Sequence, residues 1–315
     1  MQKTVTIGVF DSGVGGLSVL RELEKALPEA RFVFFADTAH CPYGEKSAEY
    51  VLERSRTITE VLLRQGAEAI VIACNTATSA AIATLRSEYG TAPSARVMEC
   101  TGGERDCVPF IGMEPAVKPA ALSTRTAVVG VLATAGTLSG SKYLDMKGRF
   151  SDGVEIVESV GRGFVELVEG SGVADCYKKG CLFLSSESEE TASDDGSYSS
   201  QNFAATSGAG RFGSGISIDS PQAEEIVRRS LAPLLEAGAD TVVLGCTHYP
   251  FLLPTLERVS AQILREHPLR GKDGKKVESI RFIDPAPAVA RHLLEVLRER
   301  GLIPLENETS SSKLI

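Results

Sequence analysis

The sequence predicts an α/β protein made of two pseudo-equivalent three-layer units, each built on a mostly parallel sheet. Three observations carry that prediction. Short, continuous, β-branched apolar runs recur along the 315 residues, the pattern of strands buried on both faces. Amphipathic helical stretches separate them, and strand–helix alternation implies parallel strands joined by crossovers. The chain also repeats itself at long range, in the same order each time.

The first run, VTIGVF (5–10), is followed by the turn DSGVGG and by LSVLRELEKAL (17–27), which has helical periodicity and stops at Pro28. FVFFAD (32–37) reads as the next strand, 47–65 as an amphipathic helix ending at Gly66, and AIVIAC (69–74) as another buried strand. TAVVGVLAT (126–134), VEIVES (154–159), TVVLGC (241–246) and SIRFID (279–284) continue the theme.

The internal repeat is specific. GAEAIVIACNT (66–76) matches GADTVVLGCTH (238–248), IGVFDSG (7–13) matches VGVLATA (129–135), and MEPAVKPA (113–120) resembles IDPAPAVA (283–290). Two halves of one ancestral unit account for all three matches. The second half is longer between its matched segments, and the Ser/Gly-rich stretch at about 185–217 is the natural home of the surplus. Its low apolar content cannot offset the entropy of ordering, which predicts a long insertion. Residues 91–107 read as a second insertion, 270–276 as a solvated basic loop and 306–315 as a frayed tail.

Composition narrows the function classes. Lys and Arg number 33 against 41 Asp and Glu, a net charge of −8 that argues against nucleic acid or an anionic membrane as the main partner. No apolar run approaches the ~20 residues of a membrane span, and residues 1–25 carry no signal-peptide pattern. Seven irregularly spaced Cys do not make a disulfide framework. A reducing cytoplasm is expected, with free thiols available for chemistry.

Ligands of parallel α/β sheets bind at the carboxyl ends of strands. Asp11-Ser12-Gly13, Cys74-Asn75-Thr76 and Cys246-Thr247-His248 all stand at such ends. One Cys there is ordinarily an inert small hydrophobe. Two Cys at matching positions of facing halves approach one cavity from opposite sides. Cys-Thr-His is not a usual metal-ligand spacing, and no Cys-x-x-Cys exists for metal or redox work. The remaining chemistry is acid/base. A thiolate removes a proton from one face of a carbon and a thiol returns one to the other, inverting the centre. His248 stands two residues from Cys246 to exchange its proton, and Asp11 is the counterpart for Cys74. Asp11 equally reads as a helix cap. The Gly-rich turn opens a helix and suits an anion the size of a carboxylate, while it lacks phosphate-loop and dinucleotide spacings. Ser12, Asn75, Thr76 and Thr247 offer neutral hydrogen bonds, and Pro42-Tyr43-Gly44 forms a turn or a ligand-contacting loop.

Taken together, IGVFDSGVGGLSVLREL, ADTAHCPYGEKS, IVIACNTATS, PFIGMEPAVKPA and VLGCTHYP resemble the glutamate racemases, cofactor-independent enzymes of bacterial cell-wall synthesis, over most of 5–290. The resemblance implies two α/β domains with the site at their interface, conversion between L- and D-glutamate for peptidoglycan, no pyridoxal phosphate and no metal. It implies a cytoplasmic homodimer whose partner is glutamate, with no nucleic acid or membrane. On the matching positions, Cys74 serves the D-enantiomer and Cys246 the L-enantiomer, with Asp11 and His248 tuning them. Asp11, Ser12, Tyr43, Gly44, Asn75, Thr76, Thr247 and His248 line the substrate, joined by Glu169 from FVELVEG. It also implies a discontinuous first domain, 1–98 with 279–315, and a second spanning 99–278. Racemases of aspartate or hydantoins, and a non-catalytic amino-acid binding module, are the rival readings. A regulatory contact with DNA enzymes is left open by the sequence.

Overall fold

The computed structural model describes residues 4–150, 153–171, 182–185 (as backbone) and 216–304. The chain opens β1 (Thr6–Asp11), α1 (Leu17–Ala26), β2 (Arg31–Ala36), α2 (Ala48–Arg64), β3 (Ala69–Ile72) and α3 (Asn75–Tyr89). After a short α4 (Ala95–Cys100) come β4 (Phe110–Gly112) and α5 (Val117–Ser123). The second half begins β5 (Val128–Ala133), α6 (Ala135–Leu138), α7 (Ser141–Phe150), β6 (Glu155–Val160) and α8 (Phe164–Glu169). It continues β7 (Leu182–Ser185), α9 (Pro221–Glu236), β8 (Thr241–Gly245), α10 (Leu253–Glu266), β9 (Arg281–Ile283) and α11 (Ala286–Glu299).

Local chemistry fixes the helix ends. Ser47 accepts from the Tyr50 amide at the start of α2, and Ser220 caps α9 ahead of Pro221, whose missing N–H costs nothing there. α3 is capped by a sulfur: Cys74 Sγ accepts from the Ala77 amide at 3.4 Å.

Both sheets are parallel, one in the order β4-β3-β1-β2-β7 and one in the order β6-β5-β8-β9. Each reverses direction beside its first strand, between β1 and β3 in one and between β5 and β8 in the other. Strand order therefore diverges next to Asp11 and Cys74 in one half and next to Thr134 and Cys246 in the other, the crevice position of open α/β sheets. Ile7, Val9, Val71, Val131, Val242 and their neighbours are fully buried between helical layers. One apolar cluster runs unbroken from α1 through α8 and the Tyr249–Leu252 turn to α9, α10 and α11, so the halves share a core. The edge-on pair Phe164–Tyr249 lies within it, ring centres 4.9 Å apart. No helix among the described residues is long and apolar enough to cross a membrane.

The division expected at 98/99 does not follow the sheets. β4 pairs with β3 in the first sheet, and β7 joins the same sheet alongside β2. The expected return of 279–315 to the first half divides in two. β9 hydrogen-bonds to β8 in the second sheet, whereas α11 crosses over to pack on α1 and β4. α5 makes the reverse crossing, leaving β4 to pack on β5 and β8. The matched MEPAVKPA and IDPAPAVA segments are these two crossings. Residues 91–107 are not a loose insertion. They contain α4, capped by Ser94 and anchored by fully buried Val97 against α2 and α3. The basic loop closes on itself through an antiparallel bridge between Arg270 and Lys276. Most of the Ser/Gly-rich insertion and the tail lie outside the described residues.

Candidate active site

The carboxyl ends of β1, β3, β5 and β8 converge between the halves. Ser12, Tyr43, Gly44, Cys74, Asn75, Thr76, Cys246, Thr247 and His248 all line one hollow there, with Pro42, Thr134, Thr137 and Val165. The hollow is too tight for an amino acid, so the halves are closed on one another. Cys74 and Cys246 are 6% and 7% exposed, buried yet open to this shared space. Each lies close enough to the other for a charge on Cys246 to raise the proton affinity of Cys74.

The Cys246 side is a chain of titratable groups. Cys246 Sγ lies 3.6 Å from His248 Nδ1, and His248 Nε2 lies 2.6 Å from Glu169 Oε1 at the end of α8. The His and Glu side chains are 2% and 4% exposed. Burial alone lowers the proton affinity of His248, but its bonds to Cys246 and Glu169 outweigh burial and hold its pKa well above the ordinary value. Thr247 Oγ1 donates to Asp11 Oδ2 at 3.3 Å, and Ser18 Oγ donates to the Thr247 carbonyl at 2.9 Å. These bonds tie β8's end to β1 and α1 of the other half.

The Cys74 side is neutral by comparison. Its thiol donates to Ser12 Oγ at 3.8 Å, and its sulfur faces the first turn of α3. Burial, then the Asp11 carboxylate, push the Cys74 pKa up, so the group is held as a thiol. Thr76, Thr134 and Thr137 form a hydroxyl triangle with edges of 3.1, 3.4 and 2.9 Å, joining α3 to the end of β5.

Two predicted substrate-lining residues stand behind the hollow instead. Asp11 is fully buried. Its Oδ2 accepts from the Gly16 amide at 2.7 Å, and burial raises its pKa against the counter-effects of His248 and Gly16. Glu169 sits behind His248 and accepts from the Val14 amide at 2.8 Å. The anion expected at the Gly-rich turn is thus supplied by the protein's own carboxylates. The reason lies in the glycines. A Cβ on Gly13 would overlap Glu169, and one on Gly15 would overlap His248, so the turn is a socket for the other half's His–Glu pair. Tyr43 lines the hollow, but its hydroxyl is engaged by Asp37, which Arg54 grips through both carboxylate oxygens at 2.8 and 3.1 Å. The phenol's expected ligand contact is therefore not available from its oxygen.

Sequence reasoning missed Thr134 and Thr137. The signal was present, because the repeat IGVFDSG/VGVLATA sets Thr134 against Ser12. It also passed over Cys41, whose thiol donates to Glu169 Oε1 at 3.8 Å. Cys41, Glu169 and His248 are one group among the described residues with atoms placed to hold a metal ion.

Comparison with known proteins decides among the rivals. No protein-family model matches the chain. It is 38% identical, over 96% of its length and 86% of the relative's, to glutamate racemase from Ectopseudomonas mendocina. A glutamate racemase isoform from Bacillus anthracis superposes with a TM-score of 0.62 at 25% identity, covering 96% of this chain and 84% of that one. Glutamate racemase from Escherichia coli, solved with L-glutamate and an activator, gives a TM-score of 0.59 at 28% identity over 94% and 83%. The chain belongs to the glutamate racemase family. The family segments quoted above, IGVFDSGVGG, IVIACNTATS and VLGCTHYP, carry the strand ends that meet at the hollow. The α/β architecture with two parallel sheets is the one these racemase structures share.

Proposed function

We propose that the chain racemises glutamate by a two-thiol proton transfer at Cα. The observation that supports this reading is the pair of cysteines, from the ends of pseudo-equivalent strands β3 and β8, opening into one hollow. In the L-to-D direction Cys246 Sγ takes the α-proton and the Cys74 thiol delivers another to the opposite face. The C–H bond breaks at one sulfur as a new one forms from the other, and the reverse reaction exchanges the roles. His248 passes the proton to and from Cys246, and Glu169 holds the imidazole in place.

Substrate orientation falls to the polar lining. Both side-chain amide atoms of Asn75, which lines the hollow, are buried without a partner. Unpaired buried groups of this kind are costly unless a ligand satisfies them. The α-carboxylate fits beside Asn75 at the N-terminus of α3, where backbone amides and the helix dipole favour negative charge. Closure excludes water, so fixed dipoles act on the developing carbanion in a low dielectric. Opening for entry and release follows from the small closed volume.

The product D-glutamate fits peptidoglycan synthesis in the cytoplasm, with a homodimer as the working form. The test is incubation with L-glutamate, D-glutamate and L-aspartate in deuterated water, followed by proton NMR at Cα and circular dichroism. Deuterium entry with inversion is expected for both glutamate enantiomers. Exchange on aspartate alone, or glutamate binding without exchange, would overturn the reading.

A further inference from the structure

The residues of the loop after β2 are largely accounted for: Pro42, Tyr43 and Gly44 line the hollow. Cys41 does not, and the proton-transfer scheme leaves its thiol unused. It is half-buried, on a different element from either Glu169 or His248, and yet its sulfur points at the same carboxylate oxygen as the imidazole. Sγ, Oε1 and Nε2 all lie within 4.8 Å of one another. Gly13 lies beneath this cluster. A Cβ there would overlap Glu169 Oε1 and come within 3.0 Å of Cys41 Sγ, so the missing side chain is what allows the sulfur and the carboxylate to meet.

We propose that Cys41, Glu169 and His248 form a binding site for a zinc-class divalent cation, and that its occupation switches racemisation off. The ligand chemistry fits. One sulfur, one imidazole nitrogen and one carboxylate oxygen suit a borderline-soft ion and leave a fourth position for water. A tetrahedral ion with bonds of ~2.0–2.3 Å needs ligand atoms roughly 3.3–3.8 Å apart. The Cys41–Glu169 spacing of 3.8 Å already satisfies this, and the 2.6 Å His248–Glu169 spacing needs a small side-chain opening. The exchange balances: the ion bonds to Sγ, Nε2 and Oε1, while the Cys41 S–H proton and the Nε2 proton of the imidazolium leave to solvent. Thiolate and carboxylate then neutralise the dication, and the ring's remaining proton is confined to Nδ1. Giving that proton to Cys246 would leave a metal-bound imidazolate, so His248 no longer exchanges a proton with Cys246, which is how occupation stops the reaction.

The proposal goes beyond the racemase reading, and cobalt(II) binding tests it without reference to activity. Cobalt titration is expected to produce a thiolate-to-metal charge-transfer band in the near ultraviolet that Cys41→Ser abolishes. Zinc is expected to inhibit racemisation reversibly, with a chelator restoring it. Cys41→Ser and Cys41→Ala are expected to keep basal turnover and to need roughly tenfold more zinc, or more, for half-inhibition. Equal zinc sensitivity in wild type and both variants would overturn the proposal by putting the ion on Cys74 or Cys246. So would a cobalt band that survives Cys41→Ser, or the absence of any band in the wild type.

Discussion

The two cysteine neighbourhoods occupy equivalent places in the two halves and are built from different chemistry. In the repeat, Thr76 corresponds to His248 and Ser12 to Thr134. Around Cys74 the partners are a hydroxyl and a helix amide, which orient a thiol without exchanging its proton. Around Cys246 the partner is an imidazole backed by a buried carboxylate, a pair whose chemistry suits holding and moving a proton. A fold with two like halves thus carries two unlike proton stations. An acid/base pair that works in both directions has to hold one proton and release another at the same moment, and identical surroundings would bias both thiols the same way.

Removing either station outright has the largest effect. Cys74→Ala and Cys246→Ala should each lower racemisation in both directions by ~10³-fold or more, the scale of a lost acid/base group whose partner cannot act alone. Optical rotation of L- and D-glutamate reactions checks this, and a variant that still turns over either enantiomer would dissolve the comparison. Gly15→Ala comes next. Its Cβ collides with His248 and Thr247, and a displacement of about 1 Å costs on the order of 10² in rate. The expected signature is a fall in kcat with circular dichroism of the fold unchanged.

Glu169→Gln sharpens the contrast, because it touches one side alone. Turnover starting from L-glutamate, where Cys246 receives the proton, should fall roughly tenfold or more, with a larger change in its pH profile than in that of Cys74-side variants such as Ser12→Ala. Stability responds with a definite sign. The folded pKa of His248 stands above its unfolded value of ~6.5. Its ion pair with Glu169 therefore stabilises fully below that pH and is lost as pH rises through the folded value. The Tm gap between wild type and Glu169→Gln should be widest near pH 6 and shrink in alkaline buffer. Thr134→Val is the mildest change. It breaks the hydroxyl triangle on the Cys74 side and should cost about 1 kcal/mol of stability and a few-fold in KM, read by denaturant unfolding and initial rates.

Much of this was legible in the chain. The apolar runs became β1, β2, β3, β5 and β8 with ends within a residue or two, because buried parallel strands write their burial into composition, whereas β6, which has no fully buried residue, was legible from its Val and Ile residues. Repeat matching paired Cys74 with Cys246, and both open into one hollow. What escaped were short strands and partnerships. β4 is a Phe-Ile pair closed by Gly112 between Pro109 and Pro115, and β7 runs straight into the Ser-rich stretch, so neither stands out as the apolar runs of β3 and β9 do. The capture of the Gly-rich turn's amides by Asp11 and Glu169 depends on contacts between segments far apart in sequence, the Val14–Glu169 pair being separated by 155 positions. A helix-opening turn advertises affinity for an anion, but nothing local says whose anion arrives.

The reciprocal crossing of α5 and α11 has a consequence for how the protein is made. On the ribosome, β1 and α1 emerge before Val289, Leu293 and Leu297, which cover α1 and are made only after every other described element. Until then the nascent first half presents an oily flank to solvent, the kind of surface that holdase chaperones shield. Truncation just before α11 should leave a product that aggregates instead of a smaller working lobe.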